Sequence, residues 1–382
     1  MKLSVPSRFE NSLLEDIKVL NQKYGSVGKI YGSLPYSIIG HGRRTEAVIK
    51  YGEVNIDTIK EFTEKAHSIG LEVNYIANSL CLGDLGYKKG GRTQIIDYFG
   101  DVFESGVDLI TISSPYLLRL VKDEYPSLKI QISVHAHVDT VQKFRRWEEL
   151  GADIINLPAG SNRDFNLLNI ISKSHRADIE LLVNEACLFN CPYALYHHTQ
   201  SSHRSKSPEE GLDYCMLECV KDRIKDPAEL LRAPWIRPED LSYYEKTFNI
   251  DKFKLQGRQM PIEWIIKTAE AYSRGRYDGN LLDLISPTYP NWFESSASIK
   301  QLPQQFSMED LKKPDVFIDN RNLDSFFRTI VKKGGCGPLQ QCDSCNICKV
   351  TANKIVQIRD QKKFENYSAA TKWLLQDIIH AS

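Results

Sequence analysis

The segment LITISSPYLLRLVKDEYPSLKIQISV, residues 109–134, decides the fold. Leu109–Ile112 and Ile130–Val134 are short apolar runs that read as strands, and Pro115–Asp123 between them reads as a short helix. A strand, a helical crossover and a second strand form the unit from which parallel sheets are built.

The same unit recurs on both sides. Upstream, Lys2–Val5 reads as a strand, followed by a helix around Leu13–Lys23 and a second strand at Lys29–Gly32. Ile59, Phe62 and Ala66 mark a helix over Ile56–Ser68, then Leu71–Ile76 is a strand and Thr93–Glu104 a helix. Downstream, Val141, Phe144, Trp147 and Leu150 share one helical face. Strands at Asp153–Leu157 and Glu180–Val183 flank a helix at Asn166–Ser172, and Phe253–Gln256 feeds a helix at Ile262–Ala271. Eight strands in about 270 residues fit an α/β fold of the closed (β/α)8 TIM-type barrel. A doubly wound open sheet is the runner-up, but no glycine-rich dinucleotide fingerprint follows the first strand.

One connection departs from the repeat. About 70 residues separate Glu180–Val183 from Phe253–Gln256, and connections of that length inside a compact domain usually carry function. The insertion, about 184–252, leaves the strand end at which barrel enzymes keep their chemistry. It holds Cys187, Cys191, Cys215 and Cys219, two Cys-x3-Cys pairs. Past residue 285 the pattern changes: prolines break up the chain, and Cys336, Cys342, Cys345 and Cys348 follow among glycines, before a final helix at Ser368–Ile379. The expected division is a barrel over 1–285 and an extension over 286–382.

Four thiols brought together by short spacings make a metal or iron–sulfur site. The first group suits one 4Fe–4S cluster, with zinc or four inert thiols as alternatives. The second suits another iron–sulfur cluster or zinc. Cys81 reads as a core thiol.

The candidate catalytic groups are His135 and His137, which alternate across Ala136 at a strand end, and Glu185, which ends the seventh strand. Arg258 ends the eighth strand, where barrels commonly frame an anion site. With His197, His198 and Arg204 of the insertion it forms the candidate substrate-binding set.

The 382 residues carry 49 basic and 49 acidic side chains. Zero net charge argues against broad electrostatic binding to nucleic acid, while leaving local basic patches open. No apolar run reaches membrane-spanning length, and Met1–Pro6 reads into a strand rather than a signal peptide, so a cytoplasmic location is the default. There, clustered cysteines are ligands more often than disulfides.

With these residues in view, the chain resembles the peptidase U-32 (collagenase-like) family from about residue 45 to 278. The resemblance rests on Ala66–Val73, Gly106–Ile110, Glu148–Asp153, Ile236–Leu241 and, most specifically, Phe253-Lys254-Leu255-Gln256-Gly257-Arg258 ahead of a helix ending Glu270-Ala271-Tyr272. It implies a barrel with a 4Fe–4S cluster on four cysteines and oxygen-independent hydroxylation or related oxidation of an organic substrate, with prephenate as oxygen donor. Cys215 and Cys219 match the family's later Cys-x3-Cys element, and Cys187 and Cys191 fall where its earlier ligands lie, at shorter spacing. Leu181–Ala186 replaces the family's Glu-x-Phe-x-His-Gly stretch, and the second cysteine group lies outside the common pattern: this is a divergent branch. The family name itself implies a peptidase, and a non-catalytic, metal-stabilised subunit of a heteromer is the third reading. The partners expected are a small-molecule or peptide substrate and an electron donor or homologous subunit.

Overall fold

The computed structural model describes residues 1–42, 54–206, 213–285, 288–292, 306–337 and 339–380. Eight parallel strands close into a barrel in sequence order: β1 (Lys2–Pro6), β2 (Val27–Gly32), β3 (Glu72–Ala77), β4 (Leu109–Ile112), β5 (Lys129–Ile132), β6 (Ile154–Leu157), β7 (Asp178–Leu182) and β8 (Lys252–Lys254). β8 pairs with β1 at Ser4↔Lys254 and completes the ring. The fold is the expected (β/α)8 barrel.

The crossover helices form where the sequence supplies caps and an apolar face. Asn55 opens the helix Ile56–Ser68 with a reciprocal capping box, and Ile59, Phe62 and Ala66 are its buried face. Ser114 accepts from the Leu117 amide with Pro115 in the first turn, and Asp164 and Thr140 cap their helices alike.

The barrel interior carries a polar layer where bulky branched residues are the rule. Each strand contributes one buried polar side chain: Ser4, Lys29, Asn74, Thr111, Gln131, Asn156, Glu180 and Lys254. Glu180, fully buried, accepts from Ser4 Oγ (2.5 Å), Lys29 Nζ (2.8 Å), Gln131 Nε2 (2.6 Å) and Asn156 Nδ2 (3.0 Å). Gln131 Oε1 accepts from Lys29 (2.8 Å) and from Asn74 Nδ2 (3.2 Å), whose own oxygen accepts from Thr111 (2.9 Å). Burial alone would raise the Glu180 pKa. Lys29, Lys254 and the hydrogen bonds overcome it and hold the carboxyl at about 2.

The insertion after β7 folds into helices Ala194–Arg204, Tyr214–Lys225, Glu229–Arg232 and Leu241–Phe248. The boundary expected near residue 286 falls on residues outside those described. Beyond it, β9 (Val316–Ile318) and β10 (Val356–Ile358) form an antiparallel pair, and the long helix Gln361–His380 packs along Tyr214–Lys225. Tyr367 on that helix stacks on Trp292 (6.0 Å between centroids), and Trp292 Nε1 donates to Thr371 (2.9 Å). Leu323, Phe326, Tyr367 and Leu374 join the same apolar core as the barrel strands. No described helix is long and apolar enough to cross a membrane.

Candidate functional site

A cavity of about 920 Å³ opens at the C-terminal end of the barrel. Tyr31, Asn156 and Lys254, at the top of the polar layer, line it; Lys254 Nζ lies 4.0 Å from the centre of the Tyr31 ring. His135, His198, the first cysteine group and Glu185 also line it.

Cys215 and Cys219 stand one turn apart on the same face of Tyr214–Lys225. Cys187 and Cys191 lie on the loop after β7, which folds back through Asn190 at φ 50°. All four line the cavity and feel one another electrostatically. Burial pushes the Cys187 thiol well up, and neighbouring Glu185, Cys191 and Cys219 push it further; burial and Asp213 raise Cys215 to about 12. Arg223 opposes them. It is 2% exposed, donates to Cys219 Sγ (3.5 Å), the Thr288 carbonyl (3.1 Å) and the Ala186 carbonyl, and its buried Nε has no hydrogen-bond partner. A guanidinium in that place offsets the negative charge that four bound thiolates bring. The donor set therefore fits an iron–sulfur cluster. As the side chains stand, no three His, Cys, Asp or Glu among the described residues are gathered as a single-ion site.

His135 and His137 are brought near each other, though by another route than strand alternation. β5 ends at Ile132 because the Ser133 hydroxyl accepts from the His135 amide and starts a tight turn over Val134–Ala136. His135 stacks on His198 with ring centroids 4.0 Å apart, and Asn78 flanks its Nδ1. His137, in the left-handed region at φ 47°, lies behind His198 at 5.4 Å and outside the cavity lining. Burial holds the His198 pKa well below its ordinary value, and neighbouring His135 and His197 lower it further; burial also lowers His137. His197 lines the cavity and pairs with Asp213 (3.0 Å), the cap of the cysteine-bearing helix, so the histidine helix and the cysteine helix are tied together.

Arg258 is 2% exposed and lines the cavity beside Ser33, which accepts its Nη1, and His41, whose Nδ1 lies 3.4 Å from Nη2. The expected role of Arg204 is not supported by its position: it ends the helix Ala194–Arg204 outside the cavity lining. Arg204 lies seven residues past His197, on nearly the same side of the helix but about 10 Å further along its axis.

The second cysteine group lies outside the cavity, against the turn that follows β6. The Cys336 amide donates to the Arg163 carbonyl (2.6 Å), an approach that requires glycine at 335: a Cβ there would stand 2.3 Å from the same carbonyl. Cys342 and Cys345 bracket a single helical turn and Cys348 begins the next helix. Burial raises Cys336, Cys342 and Cys348, the last to about 11, against the lowering fields of Arg163 and Arg232. Lys333 Nζ donates to Cys345 Sγ (3.3 Å).

The polar layer, Arg223 and the Asp213–His197 pair are absent from the sequence-based site. Arg223 had a signal, since it falls four residues after Cys219 on an amphipathic helix.

The model of peptidase family U32 matches residues 42–278. An uncharacterized protease of Methanocaldococcus jannaschii is 30% identical over 365 residues, covering 94% of this chain and 99% of that one. A solved U32 peptidase structure overlays with TM-score 0.49 at 19% identity, over 68% of this chain and 93% of its own. A thiamine phosphate pyrophosphorylase from Pyrococcus furiosus overlays at 0.35 and 11% identity, over 72% and 94%. The family match across the barrel and the relative aligned along nearly the whole chain establish that this protein belongs to peptidase family U32.

Proposed function

We propose that this chain is an iron–sulfur enzyme that oxidatively modifies a small organic substrate without molecular oxygen. The observation that carries the reading is the cysteine wall: Cys187, Cys191, Cys215 and Cys219 share one cavity with Arg258 and the His135–His198 stack, and buried Arg223 sits against Cys219. Cys187, Cys191, Cys215 and Cys219 would hold the cluster, which when bound supplies single-electron transfer. Arg258 orients an anionic substrate group. His198, which burial holds well below its ordinary pKa, takes up or returns the proton that accompanies hydroxylation, with His135 stacked against it. Prephenate, implied by the resemblance, is the first oxygen donor to assay.

Anaerobic purification followed by iron and sulfide analysis tests this reading. The expected protein is brown and iron-loaded, and serine at 187, 191, 215 and 219 together removes the iron of this centre. A reconstituted wild type without iron, or peptide cleavage by iron-free protein, would replace it with the hydrolase reading.

A further inference from the structure

The second cysteine group takes no part in the cavity, yet it repeats the design of the first. Cys342, Cys345 and Cys348 come from one Cys-x2-Cys-x2-Cys run, and Cys336 joins them from the loop after the helix Asp324–Lys333. Asn346, at φ 54°, turns the chain so that the next helix starts at once and Cys348 follows closely. Cys348 and Cys345 each lie in the field of Cys336 and Cys342, so the four half-buried thiols share one place.

Arg163 stands to this group as Arg223 stands to the first. It is 3% exposed, donates to the Leu231 carbonyl (2.8 Å) and the Trp235 carbonyl (3.3 Å), and lies over the Trp235 ring at 4.8 Å. Carbonyls accept its protons but carry no net charge, and no carboxylate among the described residues lies within ion-pair distance of it. Asp240, which feels its field, is already paired with Arg237. A buried ion needs compensation. The field of Arg163 falls on Cys336 and Cys348, that of Arg232 on Cys342 and Cys348, and Lys333 Nζ donates to Cys345 Sγ (3.3 Å). Positive charge thus surrounds the thiols on several sides, as four bound thiolates require.

We propose that Cys336, Cys342, Cys345 and Cys348 hold a second iron–sulfur cluster, separate from the first and outside the cavity. Three ligands from one short run and a fourth from a neighbouring loop is the ferredoxin manner of ligation, whereas structural zinc usually takes its ligands as two pairs. As the side chains stand, no three of these thiols are gathered as around a single ion, which suits the wider spread of a cluster. The site goes beyond the function proposed above and does not rest on it, since it touches no part of the cavity and fills independently of the first centre.

Anaerobically purified wild type is expected to carry about eight irons and eight sulfides per chain, as two 4Fe–4S clusters do, without stoichiometric zinc. Replacing Cys187, Cys191, Cys215 and Cys219 together by serine should leave about half of that iron and sulfide. Wild type alone decides where that variant fails to fold: iodoacetamide, read by peptide mass spectrometry, should label Cys342, Cys345 and Cys348 at least ten-fold faster after a chelator has stripped the metal than before. Equal labelling before and after stripping, or one zinc per chain with iron and sulfide for a single cluster, would overturn the second cluster. The peptides of the two groups are read separately, so an empty first centre, which would count against the proposed function, is distinguished from an empty second one.

Discussion

Glu180→Gln should destabilise this protein strongly at neutral pH and progressively less in acid. The carboxyl is fully buried and held at about 2 against an ordinary value of 4.5. A carboxyl held that far below its ordinary value contributes about 3 kcal/mol of stability at pH 7. Removing one member of a buried charge group costs about 3–5 kcal/mol, because the partner charges stay behind. Both routes lead to the same range. With an unfolding entropy of about 2.1 cal/mol/K per residue over 382 residues, that loss lowers Tm by about 4–6 °C if the chain unfolds as one unit.

The pH dependence carries a definite sign. A carboxyl whose folded pKa is depressed contributes its stability above the unfolded value of 4.5 and loses it as pH falls toward 2. The gap between wild type and Glu180→Gln should therefore narrow by about 1 kcal/mol between pH 7 and pH 3.5. Urea melts of both proteins across that range measure it. A gap that stays constant with pH, or a Tm within 1 °C of wild type at pH 7, would refute the account of a charged Glu180 at the centre of the layer.

Four further outcomes follow. Replacing Cys336, Cys342, Cys345 and Cys348 together by serine should remove part of the bound iron or zinc while leaving the first centre, as metal analysis would read; unchanged metal content sinks the second site. Arg258→Ala should leave iron content intact and reduce turnover by at least a hundred-fold once a substrate is found, since a bidentate anion contact is lost. Gly42→Ala should disturb the histidine wall, because a Cβ would stand 1.6 Å from His135 Cε1, and the shift would show in the His135 ring resonances. Gly257→Ala should destabilise the β8 end: the backbone sits at φ 121°, and a Cβ would meet Trp264 at 2.3 Å.

What the sequence displays depends on which forces are local. Helix Ile56–Ser68 and strand Leu109–Ile112 are readable to the residue, because caps, helical spacing and apolar runs are properties of neighbouring positions. β5 is shorter than its apolar run, because Ser133 captures the His135 amide, a competition that periodicity does not register. The extension beyond the barrel shows least: β9 and β10 are three residues each and exist only by pairing with one another. The cysteine pairs announce themselves by spacing, whereas Arg204, close to the histidines in sequence, stands two helical turns beyond His197 and outside the cavity lining.

The polar layer shows why a barrel is deceptive to read. Every strand has one polar residue inside an apolar run, as in Lys129-Ile-Gln-Ile132, Ile154-Ile-Asn-Leu157 and Asp178-Ile-Glu-Leu-Leu182. In a two-sided sheet that alternation would place the polar side chain in water. In a closed barrel both faces are covered, so the residue has no way out and needs partners across the lumen. Ser4, Gln131 and Asn156 reach Glu180 from β1, β5 and β6, strands separated from it by 176, 49 and 24 residues of chain. No single strand reveals this; eight compared with one another do. The repetition of one buried polar residue per strand, converging on a single carboxylate, is the pattern to seek in related chains.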